Sequence, residues 1–311
     1  MWMPRFACPE CSVDILDASA DVCGCARCGN RYAHDNGLWR FLTPARSTAL
    51  EPFVRQYRAV REQDCRRRAS AEYYRALPWV APDDPHAAEW QIRRETYGHL
   101  LRHVLATSVK APQSIRVLDL GAGSAWLSHR LAELGHRVVA VDALDDDADG
   151  LGASKHYRVR FAAVQADYDA LPFAPRQFDL VVFNGSLHYA PHPAATIAAA
   201  CRMLSTGGVL AVMDSPMFAR DGDGRAMAAD VSARFESECG VSDVVRTGPG
   251  YLTYASLDAV AATLGLRSEF LLSRGSIGWR LRRWRGGIRL GRAPAAFGLW
   301  IGKEREGFSR A

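Results

Sequence analysis

Five of the eight cysteines lie within the first 28 residues, and four of these form two pairs with metal-ligand spacing: Cys8-Pro-Glu-Cys11 and Cys25-Ala-Arg-Cys28. A Cys-x-x-Cys turn points two thiolates at one position. Two such turns, separated by thirteen residues, can close around one tetrahedral Zn²⁺. Four thiolates fill the coordination sphere, so the ion is structural and has no open position for catalysis. Cys23 offers a fifth thiol in "VCGCARC"; using it in place of Cys25 makes a longer, less regular knuckle. Such clustering favours metal over a disulfide framework. The opening "MWMPRFACPEC" has no basic segment followed by an apolar core, so the expected compartment is the cytoplasm.

The second chemical signal is "VLDLGAGSAW", Val117 to Trp126, an apolar run entering a glycine turn. A dinucleotide fingerprint needs G-x-G-x-x-G, and Trp126 stands at its third glycine. A P-loop needs Lys-Ser/Thr after the turn, and none follows. What remains is D-x-G-x-G, with Asp119 two residues before Gly121. An acid there repels a pyrophosphate. It suits a ligand with a cationic amino group, a sulfonium and no phosphate, which describes S-adenosylmethionine.

These residues need strands and turns to hold them. After Ile115, strand-like and helical patterns alternate, which implies a mainly parallel sheet with crossover helices. The strands read as Ile115–Leu120, "RVVAVD" (Arg137–Asp142), "VRFAAVQAD" ending in Asp167, "FDLVVFNG" (Phe178–Gly185) and "GGVLAVMDSP" (Gly207–Pro216). "AWLSHRLAELG" reads as a helix with Leu127, Leu131 and Leu134 inward. "YASLDAVAATLG" reads as another, with Leu257, Val260, Ala261 and Leu264 inward. Between the cysteines and the sheet, residues 45–112 look helical, with Phe53, Tyr57, Val60 and Cys65 at helical spacing. Two readings of that segment stand together: plain packing, or a lid that turns Tyr57, Arg61, Tyr73 and Tyr74 toward a substrate.

In these motifs the chain resembles the class I S-adenosylmethionine-dependent methyltransferases with a methyltransferase-11-like core, from about Ile115 to at least Pro216. Ala125 stands where a third glycine is common. The resemblance implies an α/β fold: a Rossmann-like, mainly parallel sheet with helices on both faces. It implies that Asp119, Gly121, Ala122 and Gly123 line the methionine half of the cofactor. Asp142, with Ala143 beside it, would take the ribose hydroxyls, as a carboxylate can accept from a vicinal diol. Asp167 would accept from the adenine amino group, with Tyr168 alongside. Asn184 and Gly185 would sit near the methyl group. The cysteine segment, closed by "NRYAHDNGLWRFLTP", resembles zinc ribbons attached to some methyltransferases. The expected organisation is a zinc ribbon over 1–44, a helical linker or lid over 45–112, and a methyltransferase domain over 113–311.

Methyl transfer to a hydroxyl needs a base, and His188 follows the fourth strand at the edge where ligands bind in such sheets. A base and a strand-end packing role are both open for it; Tyr189, His192 and Asp214 are further candidates. Asn184-Gly185-Ser186-Leu187 lacks the N-P-P-Y pattern of amino-directed DNA methyltransferases.

The acceptor must be argued from charge. Net charge is only +5, but Arg267–Arg292 holds eight arginines against Glu269 alone, and Arg55–Arg75 holds seven against three acids. Such an excess fits an anionic partner or a solvated face. In "RGSIGWRLRRWRGGIRLGRAP" the arginines alternate with Trp279 and Trp284, which suits a phosphate and a ring, or an anionic membrane surface. No run approaches the ~18 apolar residues of a membrane span. The expected function is methylation of a small-molecule or lipid-linked acceptor. Two alternatives remain: an RNA methyltransferase gripping RNA with the ribbon and the basic insert, and a cofactor-binding scaffold without turnover. Asp119, Asp142 and Asp167 count against the scaffold. Bacterial rRNA guanine methyltransferases carry a similar ribbon, but theirs typically closes with histidine where Cys28 stands here.

Overall fold

Strands buried on both faces must be apolar at nearly every position, and the runs after Ile115 have that character. The computed structural model describes residues 2–16, 21–63, 70–106, 114–239, 245 and 247–305. Cys65, the arginines at 66–68 and the boundary expected near residue 112 lie outside the described residues.

The chain begins with three short strands, β1 (Val22–Gly24), β2 (Arg31–Asp35) and β3 (Leu38–Arg40). Helices α1 (Pro44–Gln63), α2 (Ala71–Ala76) and α3 (Ala87–Leu100) follow. Then come β4 (Arg116–Leu120), α4 (Trp126–Glu133), β5 (Arg137–Asp142), β6 (Ala162–Gln165), β7 (Phe178–Asn184), α5 (Pro193–Met203) and β8 (Leu204–Met213). The last part runs through β9 (Met217–Phe218), α6 (Asp221–Cys239), β10 (Leu252–Thr253), α7 (Tyr254–Thr263), β11 (Leu266–Leu272), α8 (Ile277–Leu290) and β12 (Gly298–Glu304).

Ten strands form one sheet in the order β1-β2-β3-β6-β5-β4-β7-β8-β12-β11. The stretch from β3 to β8 is parallel, and both ends are antiparallel. β11 and β12 form an antiparallel pair. β3 pairs in parallel with β6, in the register Leu38↔Ala163, Trp39↔Val164, Arg40↔Gln165. The cysteine segment therefore continues the central sheet. Phe6, Trp39 and Phe41 join the same core cluster as Leu118 and Val164.

The pleat sorts the core into two layers. Leu118, Leu120, Val139 and Val141 face α5 and α7, which contribute Ile197, Ala200, Leu257 and Ala261. Val117, Val138 and Ala140 face α3 and α4, which contribute Tyr97, Leu100, Leu127 and Leu131. Leu134 does not join them: it is 54% exposed, because α4 ends at Glu133 and the chain turns at Gly135. Val260 and Leu264 are partly buried against the core, as their spacing predicts. Among the described residues, no helix is long and apolar enough to cross a membrane.

α1 is held differently. Val60 is its only buried residue, so little apolar burial fixes its position. Three of its arginines instead reach across to acids at the ends of β5 and β6. Arg46 pairs with Asp167, Arg58 Nε lies 3.3 Å from Asp146, and Arg61 Nη2 lies 2.7 Å from Asp149. Arg40 on β3 meets the same loop at Asp145, 2.5 Å away.

Candidate active site

The site starts from the turn after β4. Gly121 and Gly123 have φ of +69° and +53°, a region that glycine enters at little cost. Gly121 is doubly constrained: a Cβ there would stand 2.3 Å from Ser186 Cβ. The turn is tied to β5 at several points. Gly121 and Ala122 donate to the Val141 carbonyl, and Gly123 N donates to Asp142 Oδ2 at 2.7 Å. Asp142 Oδ1 accepts from Leu144 N at 2.8 Å. Ala125 adopts the left-handed conformation (φ +58°), which explains why glycine also suits this position.

Above the carboxyl ends of β4–β7 lies a cavity of about 310 Å³. Gly121, Ala122, Gly123, Asp142, Ala143, Asp167, Tyr168, Asn184 and Gly185 all line it. Asp119 does not. It lies fully buried below the turn, where Ser128 Oγ donates to its Oδ2 at 2.7 Å and Oδ1 has no partner among the described residues. Asn184 Oδ1, 8% exposed as a residue, is likewise buried without a partner. Asp167 accepts from Asp169 N at 2.9 Å and from Arg46. α1 forms the roof through Phe53, Tyr57 and Arg61, with Tyr73 and Tyr74 of α2 at the side.

A second cavity of about 500 Å³ adjoins the first. The two share Tyr57, Arg93, Gly185 and Tyr189. His188 and Asp214 line only the second. Tyr189 makes a tilted ring contact with His188, and T-shaped and tilted contacts with Tyr57 and Phe53. His188 is 9% exposed, with Nδ1 3.1 Å from Ser215 Oγ. Burial, reinforced by Arg93, pushes its imidazole down to about 3, so it is neutral at physiological pH.

The four cysteines converge at the other end of the molecule. Their sulfur atoms all lie within 4.8 Å of one another. Cys8 Sγ and Cys28 Sγ are 3.5 Å apart, and Cys11 Sγ and Cys25 Sγ 3.4 Å. A set of four thiols at this spacing fits a tetrahedral ion with metal–sulfur bonds of about 2.3 Å. Cys23 is buried on β1 and outside the cluster. Tyr32 Oη lies 3.1 Å from Cys8 Sγ and covers the site from the sheet side.

Residues 118–212 match the family described as "Methyltransferase domain". This stretch, from β4 to β8, is what the chain has in common with that family. Similar proteins include the malonyl-[acyl-carrier protein] O-methyltransferase of Enterobacter lignolyticus, 30% identical over 173 residues, which are 56% of this chain and 62% of the relative. The tRNA 5-carboxymethoxyuridine methyltransferase of Escherichia coli is 28% identical over 130 residues, 40% of this chain and 48% of the relative. The demethylmenaquinone methyltransferase of Renibacterium salmoninarum is 33% identical over 113 residues, 36% of this chain and 46% of the relative. The chain thus spans between 46% and 62% of the length of these curated relatives.

Two features of the site's surroundings escape a reading of motifs. One is the set of arginine–carboxylate pairs over the site. The opposed charge runs, Arg46–Arg61 and Asp145–Asp149, are visible in the sequence, but only the topology brings them face to face. The other is the second cavity, whose walls come from α1, α3, α6 and α8 and share no local pattern.

Residues 118–212 also carry an electrostatic cost. Burial, added to by the nearby Asp142, pushes Asp119 up to about 7. Its ordinary value is 3.8, so between the two the native state holds a proton that the unfolded chain has released. Stability therefore falls as pH rises through that window. Asp119→Asn keeps the shape and removes the charge. It is expected to melt higher than the parent at pH 8 in ligand-free protein, with the gap closing near pH 4. Thermal melts across that range check this; a gap that ignores pH would contradict it.

Proposed function

We propose that this chain binds S-adenosylmethionine in the first cavity and transfers its methyl group to a small-molecule or lipid-linked acceptor in the second. The observation that carries this reading is the meeting of the two cavities at Gly185 and Tyr189, at the carboxyl ends of the parallel strands. When bound, the cofactor supplies an activated methyl on a sulfonium. The protein's work is alignment and exclusion of water. Asp142 is half-buried, and each of its oxygens has a lone pair left after the Gly123 and Leu144 bonds, enough for a ribose diol. Asp167 offers an acceptor to the adenine amino group, and Asn184 Oδ1 an unmet acceptor near the transferred group. α1 closes over them, latched by Arg46, Arg58 and Arg61.

The relatives' names span a carrier-protein thioester, a quinone precursor and a tRNA, so kinship leaves the acceptor open. The acceptor pocket favours something small enough to be enclosed, as the second cavity has the size of an ordinary ligand site. α8 argues for a lipid surface over RNA. Its Ile277, Leu281, Trp284 and Ile288, spaced four, three and four residues apart, form one stripe facing solvent, 49–73% exposed. Five arginines and no acid share the helix. Its other face turns Trp279 and Arg283 into the second cavity. RNA binding needs the arginines but has no use for the aliphatic stripe, whereas an anionic bilayer uses both. We take residues 1–44 as a zinc-held extension of the sheet, 45–112 as the lid segment and 113–311 as the catalytic unit.

Three outcomes are expected. Asp142→Ala should weaken S-adenosylmethionine binding about a hundredfold, on the order of 3 kcal/mol, by calorimetry, while circular dichroism stays unchanged; unaltered affinity would remove the ribose assignment. Metal analysis should find one Zn²⁺ per chain, lost in Cys25→Ser and kept in Cys23→Ser. The full chain should co-sediment with vesicles of phosphatidylglycerol and phosphatidylcholine but not with phosphatidylcholine alone, and Trp284→Glu should abolish this. Binding to RNA with no vesicle association would turn the argument toward RNA.

A further inference from the structure

The second cavity has a charge pattern that its position alone does not explain. Asp214 follows β8 and is 7% exposed. Its φ of +52° is a left-handed conformation that a non-glycine residue holds only when its surroundings enforce it. Thr96 Oγ1 donates to Asp214 Oδ1 at 2.6 Å, and Ser273 Oγ lies 2.8 Å from Thr96 Oγ1. Asp214 Oδ2 is buried with no hydrogen-bond partner among the described residues. An unmet carboxylate oxygen is expensive, and here it belongs to a residue in the cavity wall. The position is near the junction of the two cavities: a Cβ on Gly185 would lie 3.8 Å from the Asp214 carbonyl and 3.9 Å from the Arg93 guanidinium.

Two guanidinium groups line the same cavity without a carboxylate within 4 Å among the described residues. Arg93 lies over Trp90, 5.0 Å from the ring centre. Arg283 lies over Trp279 at 4.2 Å and over Phe297 at 5.3 Å. Arg93 reaches both cavities, and Arg283 only the second. Phe53, Tyr57, Tyr189, Phe235, Trp279 and Phe297 add aromatic surface to the wall, and Arg61, Glu89 and Arg234 add charge. Burial, with Arg292 nearby, pulls Arg283 down to about 10, which an anion beside it would reverse.

We propose that the second cavity takes an aromatic hydroxy acid, with its anionic group on Arg283 and its hydroxyl donating to Asp214 Oδ2. This rests on the methyl-transfer reading above. Arg93 stands beside Asp214 and offsets its charge, and Arg61 and Arg234 are paired with Asp149 and Glu238, so Arg283 is where an anionic group is best received and the orientation follows. The Asp214 main chain stands beside Gly185, which borders both cavities. In the transfer, a lone pair of the hydroxyl oxygen forms the new bond to the methyl carbon, and the carbon–sulfur bond breaks. Its electron pair stays on sulfur, which becomes a neutral thioether, and the hydroxyl proton passes to Asp214. Burial pushes the Asp214 carboxyl up to about 6, above ordinary carboxylates, which makes it a stronger proton acceptor than neutral His188.

The test is binding, which does not depend on turnover. Hydroxybenzoates, the matched benzoates and the matched neutral hydroxybenzyl alcohols are titrated by ligand-observed NMR into the full chain, with and without S-adenosylhomocysteine. Hydroxybenzoates should bind at least about tenfold tighter than the alcohols. Arg283→Met should erase that preference, and Asp214→Asn should erase the preference for hydroxybenzoate over benzoate. Thermal melts show whether each variant is folded, and Arg283→Gln and Asp214→Ser serve where one is not. Equal binding of acids and alcohols, no binding of any acid, or a preference that survives Arg283→Met would overturn the proposal. Failure to bind S-adenosylhomocysteine while acid binding persists would instead overturn the methyl-transfer reading alone.

Discussion

Strand order reverses at β4, and everything at the active site follows from that reversal. The chain moves from β4 outward to β5 and β6, then returns to lay β7 and β8 on the other side. The loops leaving β4 and β7 must therefore diverge, and a crevice opens between them. The glycine turn is what lets one wall of this crevice stay thin. Gly121 sits where any side chain would collide with Ser186, and Ser186 in turn donates to the Leu120 carbonyl at 2.6 Å. The two diverging loops are thus bound to each other at the base of the crevice. Above it they are free to line a cavity.

α1 depends on charge where the sheet depends on burial. α1 buries one residue, so its ion pairs and the ring contacts around Tyr57 carry its docking. Exposed pairs of this kind contribute little each. Arg61–Asp149 is of a different sort, because Asp149 is 2% exposed and Arg61 26%. Losing either partner would strand a buried charge. Asp149 and Asp167, two of the acids that hold α1, also border the cavity, so the docking of α1 and the cavity's electrostatics are one arrangement.

Motif and period made the central parallel strands, α4, α7 and the cavity residues from Gly121 to Gly185 legible, because each is written in a contiguous stretch. Asp119 was read as a cavity residue from its place beside the glycines. The pleat sends its side chain below the turn to Ser128 instead, an alternation that a motif does not encode. The pairing of β3 with β6 was invisible because any short strand can complete an exposed edge, and nothing in "LWR" names its partner. The arginine run at 55–75 read as facing either an anionic partner or solvent. Arg58 and Arg61 instead meet acids of the same chain that lie 88 residues away.

The two faces of α8 join these separate findings. Ser276 caps the helix by accepting from Trp279 N, and Gly291 ends it in a left-handed turn, so its rotation about its own axis is well defined. That rotation puts Arg283 and Trp279 over the second cavity and leaves Ile277, Leu281, Trp284 and Ile288 outward. Turning the helix by half a revolution would bury the aliphatic stripe and is what apolar burial alone would favour. The observed rotation therefore needs an inward reason, and the aromatic sandwich of Arg283 between Trp279 and Phe297 supplies it. The outward stripe is then available to a surface, and the wall of the second cavity is the underside of the same helix. A molecule with an anionic head and an apolar body would meet both faces in turn.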